Sequence, residues 1–382
     1  MNIYLDNAAT TPLDPRVWGK VHQFHFEEEG YANSSSVHAL GIKASSAIEK
    51  VREVIAHAVQ AKADNVLFLS GGSEANNWAV KSLCWEAQKK KEPFFWVTTA
   101  TEHSSLFQLV DWVRNEGGEV ALCPVDGNGR IELSKLDELC RKKKCHLLSF
   151  SHANSETGTL QDLSTLSVFK KERVIPLHVD ACQSFLKTDI LFEDWNLDYL
   201  VLSAHKVHGP KGIGALVKRD SAPLIPLISG GGQESGLRAG TLNTEGIIGF
   251  GEAVSLFRNE DKGHIAQIKK AFSEKLVQIF PKAIIQGSNQ ESVSSILNFR
   301  LPGSNGKKLM QLLSRKGIFV STGSACDSGQ KTPSRTLTAM GLTAEEAFSS
   351  LRISFSRMNT ESELEVFFES LLKVVREEKS GE

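Results

Sequence analysis

Short apolar runs alternate with helix-length polar or amphipathic stretches through the first two thirds of this 382-residue chain. The runs are Val66-Leu-Phe-Leu69, Phe94-Phe-Trp-Val97, Val120-Ala-Leu122, His146-Leu-Leu-Ser-Phe150, Ile175-Pro-Leu-His-Val179, Tyr199-Leu-Val-Leu202 and Ile213-Gly-Ala-Leu-Val217. Between such runs, apolar residues recur at helical spacing, as in Ile48, Val51, Ile55 and Val59. Strands separated by helices predict an α/β fold: a mostly parallel sheet with helices on both faces. From about Ile247 the texture changes. Two long helix-like segments flank Ser295-Ile-Leu-Asn-Phe299 and Ile318-Phe-Val320, and Ser362 to Glu378 reads as a strong amphipathic helix. That part predicts a smaller α+β unit, and a chain of this length exceeds what one core usually organises.

Charge excludes some functions. Lys+Arg is 44 and Asp+Glu is 45, which argues against general binding to nucleic acid or anionic membrane. Lys89 to Lys91 and Lys142 to Lys144 read as helix ends facing water. No run approaches the roughly 18 continuous apolar residues of a membrane span. The start, Met1-Asn-Ile-Tyr-Leu-Asp6, has an acid where a signal peptide carries basic residues. The six cysteines include no Cys-x-x-Cys, so no structural zinc or other metal site is expected, and a reducing, cytoplasmic setting is. Cys84, Cys123, Cys140, Cys145 and Cys182 read as buried small hydrophobes.

Several polar residues sit where strands end. Asp180 follows the run Ile175 to Val179, and Lys206 follows the run from Tyr199 within Ser203-Ala-His-Lys206. Ligands of open α/β sheets bind at the carboxyl ends of the strands. An amine able to form a Schiff base, opposite an acid able to pair with a pyridinium nitrogen, is what pyridoxal phosphate requires. Ser70-Gly-Gly-Ser-Glu74 follows a strand and opens a helix, a setting for an anion or for an ordinary serine cap. His103, in Thr101-Glu-His103, is placed to stack on a flat ring and move protons, or to be an ordinary surface histidine. Cys326 lies in the polar stretch Ser321 to Pro333, where a thiol would be exposed and able to react, or incidental. Arg352, in Leu351-Arg-Ile-Ser-Phe355, is suited to a substrate carboxylate or to a structural ion pair.

Taken together the motifs resemble the NifS/IscS-type cysteine desulfurases, class V members of pyridoxal phosphate fold type I. The resemblance runs nearly end to end. It rests on Tyr4-Leu-Asp-Asn-Ala-Ala-Thr-Thr-Pro12, Asn33-Ser-Ser-Ser-Val-His38, Ser70 to Glu74, Thr101 to His103, His178-Val-Asp-Ala-Cys-Gln-Ser184, Ser203 to Lys206, Gly236-Leu-Arg-Ala-Gly-Thr241 and Ser321 to Cys326. It implies a seven-stranded-type sheet in a large domain of residues 16–250. Residues 1–15 and 251–382 would form the small domain, with the cysteine loop at about 321–333.

The resemblance also implies roles. Lys206 would carry pyridoxal 5'-phosphate, Asp180 would pair with its ring nitrogen, and Gln183 would bond its phenolic oxygen. His103 would stack on the ring and assist proton transfer. Gly72, Ser73, Ser203 and His205 would hold the phosphate, with Thr241 reaching in from a neighbouring subunit. Asn154 or Ser155 would contact the cofactor where the family usually has two asparagines. Asn33 and Arg352 would bind the carboxylate of L-cysteine. Cys326 would take the substrate's sulfur as a persulfide, leaving alanine. A homodimer and a sulfur-acceptor protein, serving iron–sulfur clusters or tRNA thiolation, complete the expectation. Three alternatives share most of these residues: a selenocysteine lyase, a class V aminotransferase with no need for Cys326, and a non-catalytic paralogue acting as a partner protein.

Overall fold

The computed structural model describes residues 2–27, 30–288, 290–323 and 332–380. Cys326 therefore lies outside the described residues. The strands are β1 (Ile3–Tyr4), β2 (Val66–Leu69), β3 (Phe95–Thr99), β4 (Glu119–Cys123), β5 (Leu147–Ser151), β6 (Leu177–Asp180), β7 (Tyr199–Ser203), β8 (Gly214–Lys218), β9 (Ile284–Gln286), β10 (Ile296–Arg300), β11 (Ile318–Phe319) and β12 (Ser350–Ser354). The first six α-helices are α1 (Pro15–Glu27), α2 (Ala39–Ala58), α3 (Gly72–Lys89), α4 (Ser104–Asn115), α5 (Leu133–Lys142) and α6 (Leu163–Arg173). The remainder are α7 (Thr244–Leu256), α8 (Asn259–Ile279), α9 (Gly306–Arg315), α10 (Arg335–Ala339), α11 (Ala344–Phe348) and α12 (Glu361–Ser380).

Seven strands form one sheet in the order β2-β8-β7-β6-β5-β3-β4. Four neighbouring pairs are parallel, and β8 runs antiparallel between β7 and β2. The apolar runs are continuous because both faces are covered. Val66 and Phe68 pack with Ile48 and Ile55 of α2, whereas Leu67 and Leu69 pack with Trp78 and Leu83 of α3. The same alternation splits Leu200 and Leu202 from Tyr199 and Val201. A strand's period of two thus assigns each residue to one of two helical layers.

The second sheet is antiparallel, in the order β12-β10-β9. One face packs on α8, α9 and α12 through Phe272, Leu309, Leu313, Leu364, Phe367, Phe368, Leu371 and Val374. The α12 residues among them recur at three- and four-residue steps, the signature of a helix with one buried stripe. Phe272 meets Phe299, Phe355, Phe367 and Phe368 with ring centroids 4.8–6.1 Å apart. The run at Ile318 forms β11, but its partner is β1, more than 300 residues away in sequence, through Ile3↔Ile318 and Tyr4↔Phe319. Ile3 and Leu5 accordingly belong to the small sheet's core.

Two cysteine expectations are corrected. Cys84, Cys123 and Cys145 are buried, but Cys140 and Cys182 are only partly buried. Cys140 lies in the last turn of the short α5, whose one buried residue is Leu136. Cys182 follows the strand end at Asp180 and its surroundings open into a cavity.

Candidate active site

The carboxyl ends of β5, β6 and β7 deliver Ser151, Asp180 and Ser203 to one place. There a cavity of about 240 Å³ is lined by Gly72, Ser73, His103, Ser155, Asp180, Gln183, Ser203, His205 and Lys206, among others. These nine sequence candidates thus meet. Asn154, Asn33, Thr241 and Arg352 do not line this cavity.

Lys206 lies just past β7 in a single helical turn, Ala204–Lys206. Its Nζ donates to the carbonyls of Ala8 and Ala9, at 2.5 and 2.8 Å. Burial pulls its pKa down from 10.5 to about 8. An amine in that range is partly neutral near pH 7–8, so it can act as a nucleophile and as a base. His205 beside it is lowered to about 4, by burial first and by the charge of Lys206 second. Its Nδ1 lies 3.1 Å from Thr10 Oγ1.

Asp180 ends β6 with donors on both oxygens. Asn76 Nδ2 donates to Oδ2 at 2.7 Å, and the Cys182 N–H donates to Oδ1 at 2.9 Å. The Cys182 thiol is pushed up, by burial first and by the Asp180 charge beside it, so it stays protonated. Gly72 has no room for a side chain: a Cβ there would stand 2.7 Å from Cys182 Sγ.

Helix α3 starts at Gly72 with Gly71 as its cap, and no side chain caps it. Its first residues, Gly72 to Glu74, line an adjoining recess of about 360 Å³ together with Thr10, Ser203, His205 and Lys211. A helix N-terminus with a lysine opposite is suited to an anion. Lys211 was not singled out from sequence; its position in Gly209-Pro-Lys-Gly-Ile-Gly214 was the available signal.

His103 caps α4, its Nδ1 accepting from the Ser105 N–H at 3.1 Å. Glu102 beside it is fully inside the protein. Its carboxyl accepts from Thr99 Oγ1 at 2.7 Å, Ser151 N at 2.7 Å and Ser151 Oγ at 2.6 Å. Burial pushes its pKa up to about 7. Glu102 thereby ties the end of β3 to the end of β5. Arg335 secures the same loop by donating to the carbonyls of Ala100 and Glu102, each at 2.8 Å.

The remaining candidates sit elsewhere. Asn154 is buried; its Nδ2 donates to the Thr101 carbonyl and its Oδ1 accepts from Glu156 N and Thr157 N. That network folds the turn which presents Ser155 to the cavity. Arg352 is buried in β12, where Nη2 donates to Asp6 Oδ1 at 2.6 Å and Nη1 to the Ser155 carbonyl at 3.0 Å. Asn33 is exposed, and its Oδ1 accepts from Ser35 N. Thr241 is exposed in the loop before α7.

The residues present fit pyridoxal phosphate on three observations. Ser203 Oγ and Gln183 Oε1 are buried with no partner among the described residues. Gln183 Nε2 donates once, to the Ala8 carbonyl, which leaves a second N–H. The uncapped α3 terminus and the Lys206–Asp180 pair supply an anion cradle, an amine and an acid around one cavity.

Comparison with known proteins agrees with this layout. The family model described as aminotransferase class-V matches residues 3–367. A cysteine desulfurase IscS of Clostridium botulinum is 34% identical over 382 residues, covering 99% of this chain and 95% of that protein. A mitochondrial cysteine desulfurase of Candida albicans is 36% identical over 376 residues, covering 97% of this chain and 76% of that protein. Among solved structures, a NifS-like protein superposes with a TM-score of 0.90 at 32% identity, over 98% of this chain and all of that one. A structure described as SspA in complex with cysteine superposes with a TM-score of 0.83 at 34% identity, over 94% of this chain.

Proposed function

The chain belongs to the class-V aminotransferase family, and on that premise we propose that it is a pyridoxal-phosphate-dependent cysteine desulfurase. It converts L-cysteine to L-alanine and holds the sulfur as a persulfide on Cys326. The observation that carries this reading is the single cavity that joins the buried amine of Lys206 to the carboxylate of Asp180.

Lys206, Asp180, Gln183, Ser203, His205, Gly72 and Ser73 would hold the cofactor, which supplies an electron sink conjugated to the substrate's α-carbon. Asp180 would hold the ring end of the cofactor, and the α3 terminus would receive its phosphate. Lys206, with its lowered pKa, takes the Cα proton of the substrate. His103 would assist proton transfer. Arg352 takes the substrate carboxylate, which competes with Asp6 for the guanidinium. The Cys326 thiolate attacks the substrate sulfur. An S–S bond forms as the Cβ–S bond breaks, and that bond's electron pair stays with the carbon skeleton, which takes up one proton at Cβ and regains one at Cα to become alanine. The sulfur then passes to an acceptor protein for iron–sulfur clusters or tRNA thiolation.

A homodimer suits the exposed surface. Trp18, Phe26, Tyr31, Val37 and Ile42 are all more than half exposed, in the same stretch of chain as Asn33. A second copy would cover such apolar residues and bring Asn33 and Thr241 to the site. Two units, 16–250 and 1–15 with 251–382, agree with the separate apolar cores of the two sheets. Among the described residues no helix is long and apolar enough to cross a membrane, and a cytoplasmic setting fits that and the cysteine usage.

The test is reconstitution of the purified protein with pyridoxal phosphate, followed by L-cysteine and a thiol reductant. The reading expects cofactor absorbance and equal amounts of sulfide and alanine. Cofactor absorbance with no sulfide would overturn the reading.

A further inference from the structure

A continuous hydrogen-bonded chain runs from Asp180 to His103, and neither of its middle members stood out in the sequence. Asn76, buried on the second turn of α3, donates from Nδ2 to Asp180 Oδ2 at 2.7 Å and to Ser105 Oγ at 2.8 Å. Ser105 Oγ in turn lies 2.8 Å from His103 Nδ1. The Ser105 N–H also points at that nitrogen, at 3.1 Å.

The direction of every bond follows from what each group can give. An ionised carboxylate only accepts, so Asn76 must turn its amide nitrogen toward Asp180. The reverse orientation would set a carbonyl oxygen against a carboxylate oxygen. Asn76 Oδ1 is accordingly the end left without a partner among the described residues. The second amide N–H then occupies a lone pair of Ser105 Oγ. Because the Ser105 backbone N–H already donates to His103 Nδ1, the Ser105 hydroxyl meets an acceptor there and turns its proton to it. With a hydroxyl and a backbone N–H both donating to it, Nδ1 is the unprotonated nitrogen of the ring. The proton of neutral His103 belongs on Nε2.

We propose that Asn76 and Ser105 are positioning residues that fix the His103 proton on Nε2 and couple that choice to the carboxylate of Asp180. The inference rests on the reading of this cavity as the cofactor site. It makes the acid at one edge of the site and the histidine at its face a single polar unit. Swapping the donor and acceptor nitrogens of His103 would require Ser105 to turn its hydroxyl proton away and fill its second lone pair from Nδ1–H beside the Asn76 amide, and it would set that N–H against the Ser105 backbone N–H. An ordinary helix cap would need only the Ser105 N–H, and would not call for the second Asn76 bond, to Ser105 Oγ.

The test uses the cofactor-loaded protein with 15N-labelled histidine and no substrate. His103 is assigned by the signal lost in His103→Gln. The native protein is expected to show the Nε2–H form alone. Ser105→Ala and Asn76→Ala are each expected to lower the ratio of Nε2–H to Nδ1–H form about tenfold, the worth of one hydrogen bond. The double variant should go no further than either single one, because residues of one network do not act additively. Ser105→Thr keeps the hydroxyl and should restore the native ratio. The cofactor's absorbance–pH midpoint should move in the same direction in both alanine variants. An unchanged tautomer ratio in Ser105→Ala, or effects of the two single variants that add in the double one, overturns the proposal. If Asn76→Ala does not fold, Ser105→Ala against Ser105→Thr decides alone. Failure of the desulfurase reading would appear instead as native protein that releases no sulfide, a result the tautomer measurement does not depend on.

Discussion

Asp180 and Arg352 are both buried charges on strands, yet their surroundings differ. Asp180 stands at the end of β6, and both of its oxygens are met by donors from Asn76 and Cys182. Arg352 stands in the middle of β12, paired with Asp6 and the Ser155 carbonyl, while its Nε has no partner among the described residues. Its register partner on β10, Asn298, is fully buried with neither amide atom paired among the described residues. Each such orphan costs roughly 1–3 kcal/mol. At the end that would hold the cofactor, both oxygens of the Asp180 carboxylate are engaged by the protein, while Ser203 Oγ and Gln183 Oε1 are left without a partner among the described residues. The end that would hold the substrate carboxylate is left with polar capacity to spare. Both ends keep polar groups for a ligand, and the difference lies in the charged anchor: the Asp180 carboxylate is fully engaged, whereas the Arg352 guanidinium is not.

The largest expected effect tests the cofactor end. Lys206→Ala should lower sulfide release about 10⁴-fold, since the amine acts as both anchor and base. Activity within tenfold of native would place the chemistry elsewhere. Next comes the apolar face that lets the small sheet carry its orphans. Phe272→Ala should reduce unfolding free energy by about 3–5 kcal/mol in denaturant titration, because four aromatic neighbours cannot close the gap. Its cofactor absorbance should match native protein while folded.

The cofactor end also carries an acid limit. His178 on β6 is lowered from 6.5 to about 4 by burial. The unfolded chain binds the extra proton between those values, so stability falls as pH drops from 6.5 toward 4 and is unaffected above 6.5. The loss is about 3 kcal/mol for this one group. His178→Gln should flatten that limb of the stability–pH curve, and an unchanged slope would show that other groups dominate it. The smallest effect belongs to the open end. Arg352→Lys keeps the charge but loses the planar fork, so KM for cysteine should rise about 10- to 100-fold with kcat less affected. A fall in kcat alone would remove Arg352 from substrate binding.

How much of this was readable in the sequence depended on where a residue stood relative to a strand end. Asp180, Ser203 and Lys206 follow apolar runs directly, so the runs point to them. The parallel core was legible for the same reason, since strands covered on both faces are apolar throughout. Asn76 looks like any polar residue on a helix, and nothing local shows that it meets Asp180, 104 positions away. Cys182 was misread because burial tendency says nothing about the cavity opened by the strand end two residues earlier. The pairing of β1 with β11 is invisible for a related reason: two-residue strands carry no period, and their contact joins opposite ends of the chain. Arg352 was picked out by its strand-like run, but its pairing with Asp6 required the fold.

The most direct test is intact-mass and peptide analysis after one turnover with L-cysteine and no reductant, for native protein and Cys326→Ser. The account predicts one added sulfur atom, on the peptide containing Cys326, and none in the variant. Sulfur found on Cys182, or cysteine consumed with no sulfur on the protein, would contradict it.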